Sequence, residues 1–146
     1  MKNLLTLVNY KLGNDIVLFC VKAKSFPDGI IAAHEALSLV TKNTTSNHFG
    51  ISYPHDGEIL YMAGEEIEAE QNIPPGTERF TIRRGNYASF YIKNFMENLP
   101  LIEKAFGILT DDPRIDPNGC CVECYLPEGS NFKTAKDMRC MVRLTD

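Results

Sequence analysis

The chain has 146 residues, 44% of them hydrophobic and 23% charged, an ordinary globular composition with enough length for one buried core. Its formal net charge is −4 and its 15 lysines and arginines are scattered, which excludes a nucleic-acid binder built on clustered phosphate contacts. No apolar stretch approaches the roughly 20 residues that span a bilayer, and the N-terminus lacks a signal-peptide cleavage pattern, so a soluble, cytoplasmic protein is expected.

In chain order, the first predicted strand is LFCVK at 18–22. A helix follows from an N-cap at Asp28, with Ala33, Ala36, Leu37 and Val40 at i, i+3, i+4 and i+7. Strands are predicted at HFGISYP (48–54) and EILYMAGEEI (58–67), joined by a tight hairpin at PHDG that sets Tyr53 opposite Glu58 and Tyr61 opposite Gly50. The acidic run GEEIEAE at 64–70 reads as a solvated strand end rather than a cation site. Pro-Pro-Gly within QNIPPG (71–76) breaks any regular element, and TERFTIRRG (77–85) supplies an extra strand leading the second half. Its IRRG run is too short to make a nucleic-acid patch. SFYIK (89–93) is the next strand, then a helix capped by Asn98, with Pro100 in its first turn, Ile102, Ala105, Phe106 and Leu109 on its apolar stripe, and Pro113 as its stop. CCVECYLP (120–127) and MRCMVRL (138–144) close the chain as strands.

The second set of elements repeats the first about 70 residues later. Phe19 and Val21 match Phe90 and Ile92, and Pro54 matches Pro127. The chain therefore reads as one α+β domain over 1–146, made of two strand-helix-strand-strand modules at about 14–70 and 77–145. The expected architecture is an antiparallel sheet with two helices on one face and a central ligand groove.

The five cysteines are an odd number without framework spacing, which suits a reducing compartment. Cys121 and Cys124 form a C-x-x-C, but residues three apart on a strand point to opposite faces and cannot share a metal. His34, His48 and His55 show no ligand spacing, so neither a metal nor another cofactor is expected.

Glu123 interrupts the apolar run GCCVECYLP, and the repeat assigns it a face. Phe49, Ile51 and Tyr53 align with Val122, Cys124 and Leu126, and these apolar positions are expected beneath the helices together with Phe19, Val21, Phe90 and Ile92. The helix-free face would then carry Tyr61, Tyr87, Tyr91, Tyr125 and Glu123, with space over Gly50 and Ser52. Aromatic rings around a desolvated carboxylate suit a cationic or hydrogen-bond-donating ligand, because a positive charge relieves the burial cost and tyrosine faces attract it. The competing reading is a cross-strand salt bridge on an exposed sheet, since Arg139 or Arg143 on the last strand would reach Glu123 in a simple hairpin register.

The stretches HFGISYPHDGEILYMAGEEIE, PPGTERFTIRRGNYASFYI, CCVECYLP and MRCMVRL resemble the GyrI-like domain, the effector-binding domain of AraC-type bacterial transcription activators, over about residues 14 to 145. The specific pieces are Gly85-Asn86-Tyr87 and Glu123-Cys124-Tyr125. The resemblance implies two modules around a groove, with Glu123 at the base of an aromatic pocket for organic, often cationic molecules. It implies multidrug sensing in transcription regulation, although fewer residues precede the first strand than a helix-turn-helix needs, so a stand-alone sensor or sequestering protein without direct nucleic-acid binding is expected. The sequence has no Trp, so stacking falls to Tyr and Phe.

Three functions follow. The leading one is a small-molecule binder with Glu123, Tyr125, Tyr91, Tyr61 and Tyr87 as its site and no catalytic residue. The alternative, which the resemblance implies, is a hydrolase of strained cyclopropanoid natural products, with Glu123 activating water or polarising an electrophile and Tyr91 or Tyr125 donating a proton. The third is docking of a protein partner, such as a regulator or gyrase, on the same surface; a homodimer also stays open.

Overall fold

A computed structural model describes residues 5–41 and 45–146. Eight strands and two helices follow in the order β1 (Val8–Leu12), β2 (Ile16–Lys22), α1 (Ile30–Val40), β3 (His48–His55), β4 (Glu58–Ile67), β5 (Glu78–Ile82), β6 (Gly85–Ile92), α2 (Leu99–Thr110), β7 (Cys121–Leu126) and β8 (Asp137–Arg143). All strands join one antiparallel sheet in the order β1-β6-β8-β7-β3-β4-β2-β5. The predicted α+β class and every predicted strand and helix are present. β1 is an addition: VNYKL is a short, largely exposed edge strand with a weak alternation signal.

Outward from the β3–β7 seam, one side runs β7, β8, β6, β1 and the other β3, β4, β2, β5. The flanking strands trade sides. β5, which leads the second half in sequence, pairs with β2 of the first, and β1 pairs with β6 of the second. α1 packs on β4 and β2 while α2 packs on β8 and β6, so the central seam lies between the helices.

Local chemistry sets the element ends with two departures from expectation. α1 starts at Ile30 with Gly29, not Asp28, at its N-cap, because Gly29 N–H turns back to the Ser25 carbonyl at 3.1 Å. The β3–β4 hairpin closes on Asp56-Gly57, both at positive φ, and pairs His55 with Glu58. Tyr61 therefore stands opposite Ser52, two residues from the expected register. An even slip preserves the face, so Tyr61 stays on the side of Gly50.

The facing of β2 and β6 is as expected, whereas that of β3 and β7 is exchanged. Phe19, Val21, Phe90 and Ile92 pack in the two clusters beneath the helices, but the register puts Gly50, Ser52, Tyr61, Glu123 and Tyr125 on that same face. Phe49, Ile51, Val122 and Cys124 join Leu18, Met62, Ile82, Tyr87 and Met141 in a third cluster on the opposite face. That cluster gathers Tyr10 and Leu12 from one end of the sheet and Phe80 from the other, so the sheet curls around it and buries a face no helix covers. With both faces buried, apolar alternation has no solvent side to point away from.

No helix among the described residues is long and apolar enough to cross a membrane.

A two-sided core has a measurable consequence. Leu37→Ala, beneath α1, and Ile51→Ala, on the helix-free face, both remove fully buried branched side chains. Each is expected to cost about 2–5 kcal/mol, read as comparable drops in thermal midpoint; a near-neutral Ile51→Ala would contradict the curled core.

Candidate functional site

Four side chains meet on the helix-bearing face at the seam. Glu123 and Tyr125 come from β7, Tyr61 from β4 and His34 from α1. The Tyr61 hydroxyl donates to Glu123 Oε1 at 2.7 Å, and the Tyr125 hydroxyl donates to the same oxygen at 3.1 Å. His34 Nε2 stands 2.9 Å from the Tyr61 oxygen and 3.1 Å from that of Tyr125, closing a four-membered ring of polar groups. With both phenolic protons directed at Oε1, hydrogen bonding to the phenol oxygens requires Nε2 to carry a proton.

Glycine makes the arrangement possible. Gly50 pairs with Glu123 across the β3–β7 ladder, and a Cβ there would fall 2.2 Å from both Glu123 Oε1 and the Tyr61 hydroxyl. The space expected over Gly50 is thus filled by the carboxylate and the phenol. Tyr61, Tyr125 and His34 are buried, whereas Glu123 keeps partial access to solvent.

Burial controls the protonation of all four groups. It raises the Glu123 carboxyl above its ordinary range, against the opposing effect of the Tyr61 and Tyr125 hydrogen bonds. Burial, then the nearby Glu123 charge, pushes both phenols well above 10. His34 is pulled down to about 3, chiefly by burial and then by His48, and is neutral at physiological pH.

Aromatic rings surround the polar ring. Phe26, 44% exposed, stacks on Tyr61 at 6.0 Å between centroids and 29° between planes. Phe132 lies 5.0 Å from His34, and Phe95 meets Tyr125 edge-on at 5.7 Å. Beside them a cavity of about 200 Å³ is lined by His34, Leu37, Ser38, Thr41, His48, Asn131 and Phe132.

Two of the four predicted tyrosines are brought to Glu123 and two are not. Tyr87 and Tyr91 stand on the opposite face, in register with Arg143 and Arg139. The Tyr87 hydroxyl donates to the Arg83 carbonyl, and that of Tyr91, at the surface, donates to Asp137 Oδ2 at 2.6 Å. Their expected place beside Glu123 followed from joining β6 to β7 with the wrong parity. The same parity removes the salt-bridge alternative: Arg139 lies over the Tyr10 ring at 4.2 Å, and Arg143 bonds Asp116 and Asp146. Among the described residues Glu123 has no cationic partner. Cys121 and Cys124 fall on opposite faces of β7, and all five cysteines are free.

His34, Phe26 and Phe132 were missed. His34 carried a signal, since it lies three residues before Leu37 on the buried stripe of α1, but a search for metal spacing passes over it. Phe26 and Phe132 lie in loops whose course no periodicity predicts.

Comparison with known proteins places the fold and the family. Among solved structures, an integron cassette protein from the mobile metagenome of Vibrio cholerae aligns with a TM-score of 0.64 at 12% identity over 95% of each chain. A conserved uncharacterized protein from Listeria innocua gives 0.61 at 9% identity, and a hydrolase from the same organism 0.59 at 9%, each alignment covering 96% of this chain and 92% of the other. At such identities the likeness is one of fold alone. No curated protein matches the sequence significantly. A family model described as integron-associated effector binding protein matches residues 23–140, most of the chain and all four members of the polar ring, and this protein therefore belongs to the Cass2 family of effector-binding proteins.

Proposed function

We propose that the protein binds a small aromatic cation at the β3–β7 seam, with Glu123 as counter-charge and Tyr61, Tyr125, His34 and Phe26 as walls. The observation that carries this reading is a desolvated carboxylate whose hydrogen-bond partners are neutral hydroxyls. Such a group is held at a cost that a ligand's positive charge offsets, and the Tyr61 and Phe26 faces attract the same charge through their quadrupoles. The partial exposure of Glu123 provides the approach. The cavity that shares His34 with the polar ring has room for one ring of a ligand, since about 150 Å³ accommodates benzene.

On this reading the chain is a duplicated module of the GyrI-like superfamily, each copy contributing one strand to the seam, and it senses or sequesters its ligand in the cytoplasm. Binding rather than hydrolysis is favoured by the protonation of Tyr61, Tyr125 and His34, the groups around the carboxylate that would have to exchange protons with it. The phenols, raised well above 10, keep their protons, and the imidazole, lowered to about 3, stays neutral across the neutral range, whereas acid–base catalysis works best with groups titrating near the operating pH.

Glu123→Gln tests the counter-charge, because the amide oxygen still accepts from both phenols. Affinity for a cationic aromatic dye, followed by fluorescence, is expected to fall about 10–100-fold, corresponding to the loss of a charged interaction of about 1.5–3 kcal/mol. A neutral dye of equal size should be unaffected. Undiminished cationic-dye binding would remove Glu123 from the site.

The pH dependence has a definite sign. The folded carboxyl holds its proton more tightly than the unfolded one, so its stabilising contribution is complete below an unfolded pKa of about 4.3 and is lost as pH rises through the higher folded value. Glu123→Gln is therefore expected to raise the thermal midpoint at pH 7.5 and leave it unchanged near pH 4. Dye affinity of the native protein should decline with acidification through the same folded value, while the variant's profile stays flat.

Gly50→Ala forces Glu123 away from Tyr61. A cost of about 1–3 kcal/mol in chemical denaturation is expected, together with weakened dye binding.

A further inference from the structure

The IRRG run and Tyr87 have no part in the seam, yet the fold gives them a place of their own. On the helix-free face, a cavity of about 170 Å³ is lined by residues from β3, β5, the β5–β6 turn, β6 and β8 and from the loop before β7. Tyr53 and Phe80 form an aromatic wall, their rings 13° from parallel with centroids 6.3 Å apart. Tyr87 adds a third ring, and Thr81, Arg83, Asp116, Asn118 and Arg143 supply the polar part of the lining beside Cys120.

The charges in this lining differ sharply in how they are engaged. Arg143 is buried and saturated: it donates to the Arg84 carbonyl at 2.9 Å, to Asp116 Oδ2 at 3.1 Å and to Asp146 Oδ1 at 3.3 Å. Asp116 is the one carboxylate lining the cavity. It is neutralised by Arg143, and its other oxygen accepts the Asn118 N–H at 2.9 Å. Arg83 is the remaining cation, exposed and without a carboxylate partner among the described residues. Its backbone is fixed by the Tyr87 hydroxyl on its carbonyl, leaving the guanidinium free. Burial pushes the Cys120 thiol up to about 12, so that wall stays neutral.

We propose that this cavity is a second ligand site, independent of the seam, that takes a small planar aromatic anion with its ring against Tyr53 and Phe80 and its charged group on Arg83. The volume limits the ligand to about one ring, by comparison with the roughly 150 Å³ that holds benzene. The aromatic wall selects a planar partner through offset stacking. A guanidinium matches a carboxylate in bidentate geometry, and on a chain of net charge −4 a local unpaired cation is what makes an anion's approach favourable. The two sites have opposite charge preferences, so neither result stands in for the other.

The test titrates benzoate, benzamide and benzamidinium into the whole protein, with amide chemical shifts reporting affinity and position. Benzoate is expected to bind about tenfold or more tightly than benzamide, shifting the amides of Thr81, Gly119 and Cys120. Arg83→Gln, an exposed substitution, should bring benzoate to the benzamide level. Arg84→Gln, which removes an equal charge outside the cavity, and Glu123→Gln should leave benzoate binding unchanged. Equal binding of benzoate and benzamide, an Arg84→Gln loss matching that of Arg83→Gln, shifts confined to the seam, or no benzoate binding at millimolar concentration would each overturn the proposal.

Discussion

A carboxylate stands on the buried face of this sheet because the residue across the ladder has no side chain. Gly50 and Glu123 are register partners, and the volume a Cβ would take is occupied by Glu123 Oε1 and the Tyr61 hydroxyl. From that close approach the rest of the cluster follows. Tyr61 reaches the carboxylate from β4, Tyr125 from two residues along the same strand, and the two phenol oxygens converge on one imidazole from α1. A polar ring of this kind tolerates burial to the extent that its members are hydrogen-bonded. With a neutral Nε2-protonated His34 and an ionised Glu123, two phenolic protons and one imidazole proton serve four contacts. One contact is short of a proton: both phenolic protons go to Glu123, so the deficit lies at His34, whose single N–H faces two phenol oxygens.

The placement of the helices turns this cluster into a seam. α1 and α2 each cover an outer strand pair, so β3 and β7 run between them, and the loops bearing Phe26 and Phe132 close in over His34 and Tyr61. The opposite face solves its own burial problem without a helix. Curling brings β1 and β5, the two ends of the strand order, into a common apolar cluster. Both faces are then core, and each borders a cavity with aromatic side chains in its lining.

Two-sided burial also explains what was legible in the sequence. Element type and order could be read, because the i, i+3, i+4, i+7 stripes of α1 and α2 and the turn residues at 54–57 and 71–76 are local signals. The alternation within β3 and β7 grouped Gly50, Ser52, Glu123 and Tyr125 on one face, as observed. What alternation cannot supply is the parity between strands. Phe19 and Phe49 are equally apolar and equally buried, yet they lie on opposite faces. The error moved Tyr87 and Tyr91 beside Glu123 and separated it from the helix that carries His34. Phe26 depended on a loop path, which is fixed by tertiary packing rather than by local propensity.

Parity decides the chemistry of the seam as well as its description. β8 carries three side chains on one face, Arg139, Met141 and Arg143, and in the observed register all three point away from Glu123. Slipping β8 by one residue against β7 would turn that set to the other face and bring a guanidinium within reach of the carboxylate. Glu123 would then be half of an ordinary internal ion pair, its charge satisfied and its affinity for an external cation gone. In the folded chain the two arginines are instead engaged on the far side, one over Tyr10 and one between Asp116 and Asp146. The carboxylate remains uncompensated because the strand that could have neutralised it presents Cys140 across the ladder.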